Sequence, residues 1–140
     1  MKDLTILIKL QKTRVDEQRV ILGKLRDTQD KIVEKLNFMQ KTLQKEQAIA
    51  EADYDSRMTY EKFLKKFLAE QKQTEDQKAL IDEAIVIAHD KLSELFEEQK
   101  RYEIAQEQRL LEEQREEIRR ENQITDEIGI VQHQRKKLPF

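Results

Sequence analysis

The side chains in this 140-residue sequence that could perform acid–base chemistry are few and are not arranged as a catalytic site. His89 and His133 are the only residues of the type that exchanges protons near neutral pH, and a long stretch of sequence separates them. No glycine-rich phosphate loop, nucleophile elbow or HExxH motif is present. Cysteine is absent, which excludes a disulfide framework and thiolate metal ligands.

Carboxylates are numerous, but they lie in patterns that are ordinary for an acidic helix surface. Glu112 with Glu113 and Glu116 with Glu117 are adjacent pairs of this kind. A pair of carboxylates acts as general acid and base when burial and mutual repulsion separate the two pKa values, and thin helical proteins offer little burial. The sequence therefore predicts a protein that is not an enzyme, has no cofactor or metal site, and works by contact.

The composition is typical of long helices with a narrow apolar seam. Charged residues make up 40% of the chain, hydrophobic residues 37%, and there are two glycines and one proline. The net charge is -2 with both signs interleaved, which argues against nucleic acid as a partner, and the short basic run 135–137 fits a helix C-terminus. No stretch approaches the ~20 apolar residues of a membrane span, so we expect an intracellular protein without direct membrane insertion.

The first half of the chain carries an apolar repeat with alternating steps of four and three residues. Glutamines are its only interruptions, and Gly23, outside the repeat, is either a soft spot or a close approach. Such a sustained repeat predicts one arm of a coiled coil over residues 2–52. The repeat positions are Leu4, Ile8, Gln11, Val15, Gln18, Leu22, Leu25, Gln29, Ile32, Leu36, Met39 and Leu43.

The repeat becomes polar after Leu43, so the helix is expected to reverse direction. Asp53, Asp55 and Ser56 favour turns and helix N-caps, which places the apex within residues 53–59. A second choice is residues 71–75, where Thr74 with Gln77 fits a capping box in a polar stretch. Periodicity alone does not choose between them. With the apex in either segment, we expect an all-α fold, a single antiparallel coiled-coil hairpin of two long helices.

The second arm, residues 60–137, has a less regular repeat. Ile81, Ile85 and Ala88 begin a four-three pattern that continues to Tyr102. The apolar residues then follow a spacing of seven, at Ile104, Leu111 and Ile118. This shift predicts a local change in the face that packs against the first arm. Ile124, Ile128 and Val131 form one more apolar face beyond it.

Three short segments resemble the FliJ family, the small coiled-coil proteins of the flagellar type III export apparatus. Residues 4–10 (LTILIKL) with 16–19 (DEQR) resemble the start of the family, and 121–128 (ENQITDEI) its end. Residues 60–63 (YEKF) are similar to the aromatic opening of the family's second helix, which favours the apex at 53–59. The resemblance implies a stalk-like hairpin that binds the hexameric export ATPase, links it to the export gate membrane protein and assists export chaperones. It also implies a cytoplasmic location peripheral to the membrane-embedded apparatus.

Two contact regions are expected. Near the apex, the rings of Tyr54, Tyr60, Phe63 and Phe67 are too many for two helices to bury, and exposed aromatic clusters often mark partner sites. The resemblance implies that this patch, at Tyr60 and Phe63, binds the export gate. The alternative is that Tyr60 and Phe67 fill the seam while Tyr54 and Phe63 are half-covered.

The second region is the end of the longer arm, which a turn at 53–59 leaves without a partner helix. An unpaired amphipathic helix is a candidate insertion surface for the ATPase ring, although fraying is a simpler outcome. Its expected contact residues are Ile118, Arg119, Arg120, Ile124, Ile128, Val131 and Arg135. We expect a monomer in isolation. Two other functions stay open, a generic homodimeric coiled-coil scaffold and the equivalent stalk protein of a virulence-type secretion system.

Overall fold

The computed structural model describes residues 3–137, and in this part of the chain it contains two long α-helices in contact and no strand. Helix α1 is Thr5–Ala52, with 48 residues, and α2 is Ser56–Lys137, with 82 residues. The predicted all-α class is confirmed. Neither helix contains, within the described residues, an apolar stretch long enough to cross a membrane.

Each helix begins with an aspartate that caps it. The Asp3 carboxylate accepts hydrogen bonds from the backbone N–H of Thr5 at 3.1 Å and from its hydroxyl at 2.6 Å. Asp53 repeats the device, accepting from the Asp55 N–H at 3.2 Å and the Ser56 hydroxyl at 3.0 Å. Such caps satisfy N–H groups that the first helical turn leaves without partners. This local bonding starts α2 at Ser56, earlier than the predicted residue 60.

The break between the helices lies at residues 53–55, inside the segment 53–59 that the turn-forming residues indicate. The second-choice reversal at residues 71–75 is wrong, because this segment is continuous α-helix. Thr74 is 1% exposed, and its hydroxyl donates to the Glu70 carbonyl at 2.8 Å. A mid-helix threonine bonded to the carbonyl four residues earlier satisfies its own hydroxyl and needs no turn.

The buried face of α1 is the four-three repeat. Every repeat position from Leu4 to Leu43 is buried or half-buried, including the three glutamines, and the series extends through Glu46 to Ala50. Gly23 lies outside the buried face, and no heavy atom would meet an added Cβ there within 4 Å. Gly23 is therefore not a close approach between helices.

Helix α2 keeps the same four-three spacing without interruption from Tyr60 to Arg109. The predicted shift to Ile104, Leu111 and Ile118 is wrong, because these residues are 54%, 47% and 54% exposed. The half-buried positions that follow Tyr102 are Ala105, Gln106 and Arg109, and the last two continue the four-three spacing. Helix geometry fixes which residues share a face, and the contacts along the whole helix decide which face is buried, so individual polar residues can lie on that face.

Contacts divide the chain into two compact units, Thr13–Phe96 and a terminal unit formed by the described parts of Met1–Lys12 and Glu97–Phe140. In the Thr13–Phe96 unit, the Gln18 amide donates to the Ala88 carbonyl at 3.0 Å. The Gln29 amide donates to the Asp82 carboxylate at 2.7 Å.

The terminal unit is held by a similar set of polar contacts between its two segments. The Gln11 amide donates to the Glu98 carboxylate at 3.0 Å. Gln106 donates to the Asp3 carboxylate at 2.6 Å and accepts the Leu4 N–H at 3.2 Å. No buried side-chain nitrogen or oxygen of the described residues lacks a hydrogen-bond partner.

Candidate partner-binding surfaces

Three of the four predicted apex rings form a cluster along α2. The ring centroids of Tyr60 and Phe63 are 6.4 Å apart, and those of Phe63 and Phe67 are 5.7 Å apart. Steps of three and four residues place these side chains on one helix face. Tyr54 lies in the break between the helices, is 79% exposed, and carries the Arg57 guanidinium 5.2 Å from its ring centroid.

Phe67 is a core residue, because its side chain is only 5% exposed. Tyr60 and Phe63 are half-buried. A partner can therefore reach Tyr54 and parts of Tyr60 and Phe63, whereas the Phe67 ring is already occupied by packing within the chain. Phe67 therefore does not offer its full side chain to a partner.

A groove of about 250 Å³ lies between the two helices beside this cluster. Phe63 and Phe67 line it from α2, and Phe38, Met39 and Thr42 line it from α1. Phe38 is 71% exposed, a large apolar surface for a side chain of this size. The sequence reasoning missed Phe38. The sequence could have indicated Phe38, because it is an aromatic residue immediately before the seam position Met39, where a heptad pattern normally has a polar residue.

The rim of this groove carries one ion pair between the helices. The Lys35 ammonium lies 3.6 Å from the Glu70 carboxylate, and both side chains are about half exposed to solvent. Exposed pairs of this kind contribute little to stability because water and salt screen them. Either side chain can therefore leave this ion pair and contact a charged group of a partner at little cost in stability.

The end of α2 forms the second surface. Every described residue from 110 onward is exposed. Ile124 and Ile128 lie on one face, and with Val131 and Arg135 they border a shallow depression in the helix surface. Ile118 is exposed on a different face, since its spacing of six from Ile124 does not fit a helical repeat. Arg120 is 3.5 Å from the Glu116 carboxylate, and Arg119 is exposed.

Two aspartates have pKa values below the ordinary aspartate value. A hydrogen bond from Lys78, followed by one from Gln29, lowers the pKa of Asp82. Hydrogen bonds from Thr5, followed by one from Gln106, lower the pKa of Asp3. In both cases the donors stabilise the ionised carboxylate. These groups act in capping and helix contact.

The described residues contain no cluster of three or more His, Cys, Asp or Glu side chains that could hold a metal ion. His89 and His133 are both exposed on α2 and do not come together. The two surfaces above are therefore characterised by apolar area and charge.

Comparison with known proteins adds no assignment. No family model, no curated protein and no solved structure matches this chain.

Proposed function

We propose that the chain is an antiparallel coiled-coil hairpin with its apex at the break between α1 and α2. The contacts in the Thr13–Phe96 unit support this arrangement, since the partners of Gln18, Gln29 and Lys35 are Ala88, Asp82 and Glu70 in descending order. Such an order is expected when two helices run in opposite directions. The continuous four-three spacing of the buried positions is the spacing of a coiled-coil seam.

On this scaffold we propose a stalk-like, non-enzymatic role in bacterial flagellar type III protein export. The exposed end of α2 binds and promotes the hexameric export ATPase. The groove at Phe38 and Phe63 binds the membrane-embedded export gate from the cytoplasmic side, and the protein also assists export chaperones. The resemblance to the FliJ family supplies the identity of these partners.

The observation that carries the proposal is the contrast between the two parts of α2. The helix is packed on one face as far as Arg109 and exposed on all faces beyond it, while keeping apolar side chains at Ile124, Ile128 and Val131. An apolar stripe on an otherwise polar helix favours insertion into a complementary groove. A helix with no binding role would gain solubility from polar residues at these positions.

The proposal is tested by the hydrolysis rate of the cognate flagellar export ATPase, titrated with this protein. We expect stimulation that saturates near one chain per hexamer. Ile128→Ser is expected to raise the concentration of this protein that gives half-maximal stimulation about tenfold, because it removes a central apolar contact. Ile130→Ser is the matched control, since Ile130 is 57% exposed and lies on another face. Unchanged hydrolysis at saturating protein would refute the ATPase role.

The gate contact is tested with an exposed residue, so that binding and folding are separated. Phe38→Ala is expected to weaken binding to the cytoplasmic part of the gate by about tenfold while the melting temperature stays unchanged. Leu80→Ala is the control, because Leu80 is 67% exposed and does not line the groove. Equal affinities of the two variants would place the gate contact elsewhere.

Two alternatives give different outcomes in the same experiments. A stalk protein of a virulence-type secretion system would stimulate that system's ATPase in preference to the flagellar one. A generic homodimeric scaffold would stimulate neither and would be a stable dimer at all working concentrations.

A further inference from the structure

The apolar end of α2 continues the face that packs against α1 in the terminal unit. Tyr102, Gln106 and Arg109 are the half-buried residues of that face. Steps of four, four and three residues, which follow a straight helix at 3.6 residues per turn, extend it along the exposed helix. We call this continuation the tail stripe, and it consists of Glu113, Glu117, Arg120, Ile124, Ile128, Val131 and Arg135.

The tail stripe has an ordered distribution of charge. Glu113 and Glu117 lie at its start and are followed by Arg120. Three aliphatic residues occupy its middle, and Arg135 lies at its end. All are exposed, so no described part of α1 covers them. A second copy of the same stripe running in the opposite direction presents these features in reverse order.

We propose that the tail stripe pairs with the tail stripe of a second copy of this chain, in antiparallel orientation. In the best register Ile124 faces the partner's Ile128, and Glu117 faces the partner's Arg135. Twofold symmetry makes each of these contacts twice. Val131 then faces the partner's Arg120, whose methylene groups can cover it, and the two pairs of Glu117 with Arg135 close the ends of the contact.

Other arrangements place like charges together. A parallel pair brings Glu117 next to the partner's Glu117 and Arg135 next to the partner's Arg135. An antiparallel register displaced by one turn, with Ile128 facing the partner's Ile128, brings Arg120 close to the partner's Arg135. Like charges at facing positions disfavour both of these arrangements. The antiparallel register with Ile124 facing the partner's Ile124 is disfavoured for another reason, because it places Arg120 against Ile128 and Glu117 against Val131.

The pairing is weak, because three aliphatic side chains from each copy form a small interface. We expect weak, concentration-dependent association that leaves the chain monomeric at low concentration. The tail stripe shares its aliphatic residues with the surface proposed to bind the ATPase, so one face serves both contacts and they exclude each other. The test below uses this chain alone, so its failure is distinguishable from failure of the export proposal.

The test is analytical ultracentrifugation of the full chain from about 10 µM to 1 mM, a range that spans the affinity of small interfaces. Glu117→Arg and Arg135→Glu are each expected to raise the dissociation constant by about fivefold or more. Each substitution creates two facing pairs of like charge. Combining both substitutions restores opposite charges and is expected to return the constant to within about twofold of the original.

Asp126→Arg is the matched control, because it makes the same change in net charge on the opposite face of the helix. Since the chain contains no cysteine, orientation is tested by mixing Ile124→Cys and Ile128→Cys chains under oxidation. The mixed pair should crosslink faster than either variant alone. A wild-type chain that stays monomeric to the top of the range, or a double reversal that fails to restore association, would overturn the proposal.

Discussion

At the scale of single residues, hydrogen bonding explains how the buried face accommodates glutamine. Gln11 and Gln18 are 1% and 7% exposed, yet each amide donates to an oxygen on α2. A buried polar group is costly when it loses its hydrogen bonds to water without replacement. These replacements link particular positions on the two helices, which favours one alignment over another.

The hydrogen bonds that Asp82 accepts from Lys78 and Gln29 predict a dependence of stability on pH. The pKa of Asp82 is lower in the folded chain than in the unfolded one, so protonation favours unfolding. Its stabilising contribution is fully present above the pKa of an unfolded aspartate and is lost as the pH falls through the lower pKa of the folded chain. Asp82→Asn should flatten this acid limb of the stability curve, as measured by urea unfolding at a series of pH values. Parallel curves for the variant and wild type would contradict the prediction.

At the scale of secondary-structure elements, the two helices bury a continuous face that includes residues of very different polarity. In α2 this face includes Phe67, Gln71, Thr74 and Lys78 in succession. Only Phe67 in this group supplies a large apolar side chain. The stability of this part of the contact should therefore depend strongly on Phe67.

Phe67→Ala is expected to lower the free energy of unfolding by about 3 kcal/mol, because it removes a buried ring and leaves a cavity. Phe38→Ala, across the same groove, is expected to change it by less than about 0.5 kcal/mol, since Phe38 is 71% exposed. Urea unfolding followed by circular dichroism compares the two. Similar losses in both variants would mean that Phe38 also belongs to the core.

At the scale of the whole molecule, the unequal lengths of the helices determine which surface is left for partners. Helix α2 is longer than α1, and its described residues beyond Arg109 are exposed. Residues that make no contact with another helix contribute little to folding of the rest. Removing them should separate binding from stability.

Truncation after Arg120 should abolish stimulation of the export ATPase and leave binding to the gate unchanged. The midpoint of thermal unfolding should shift by less than about 3 °C, because residues 121–137 are all exposed. Calorimetry and the ATPase titration give the two readouts. Loss of gate binding together with ATPase stimulation would disprove this division of roles.

The amino-acid sequence determined the all-α class, the buried positions of α1 and the segment that contains the helix break. These features depend on local properties: the heptad spacing selects one helix face, and Asp53 caps the helix that follows it. The exposed end of α2 also follows from sequence once the break is placed at residues 53–55.

Only the tertiary structure decided which polar and aromatic residues of α2 face α1. Thr74 looked like a turn signal and is buried, Ile104 looked like a seam residue and is exposed, and Phe38 lines a groove without belonging to the repeat. The physical reason is that a helix is rigid, so its register is set by the sum of contacts along its length. A single residue can then lie in an environment that its own polarity does not predict, provided that its polar groups find hydrogen-bond partners, as the Thr74 hydroxyl does.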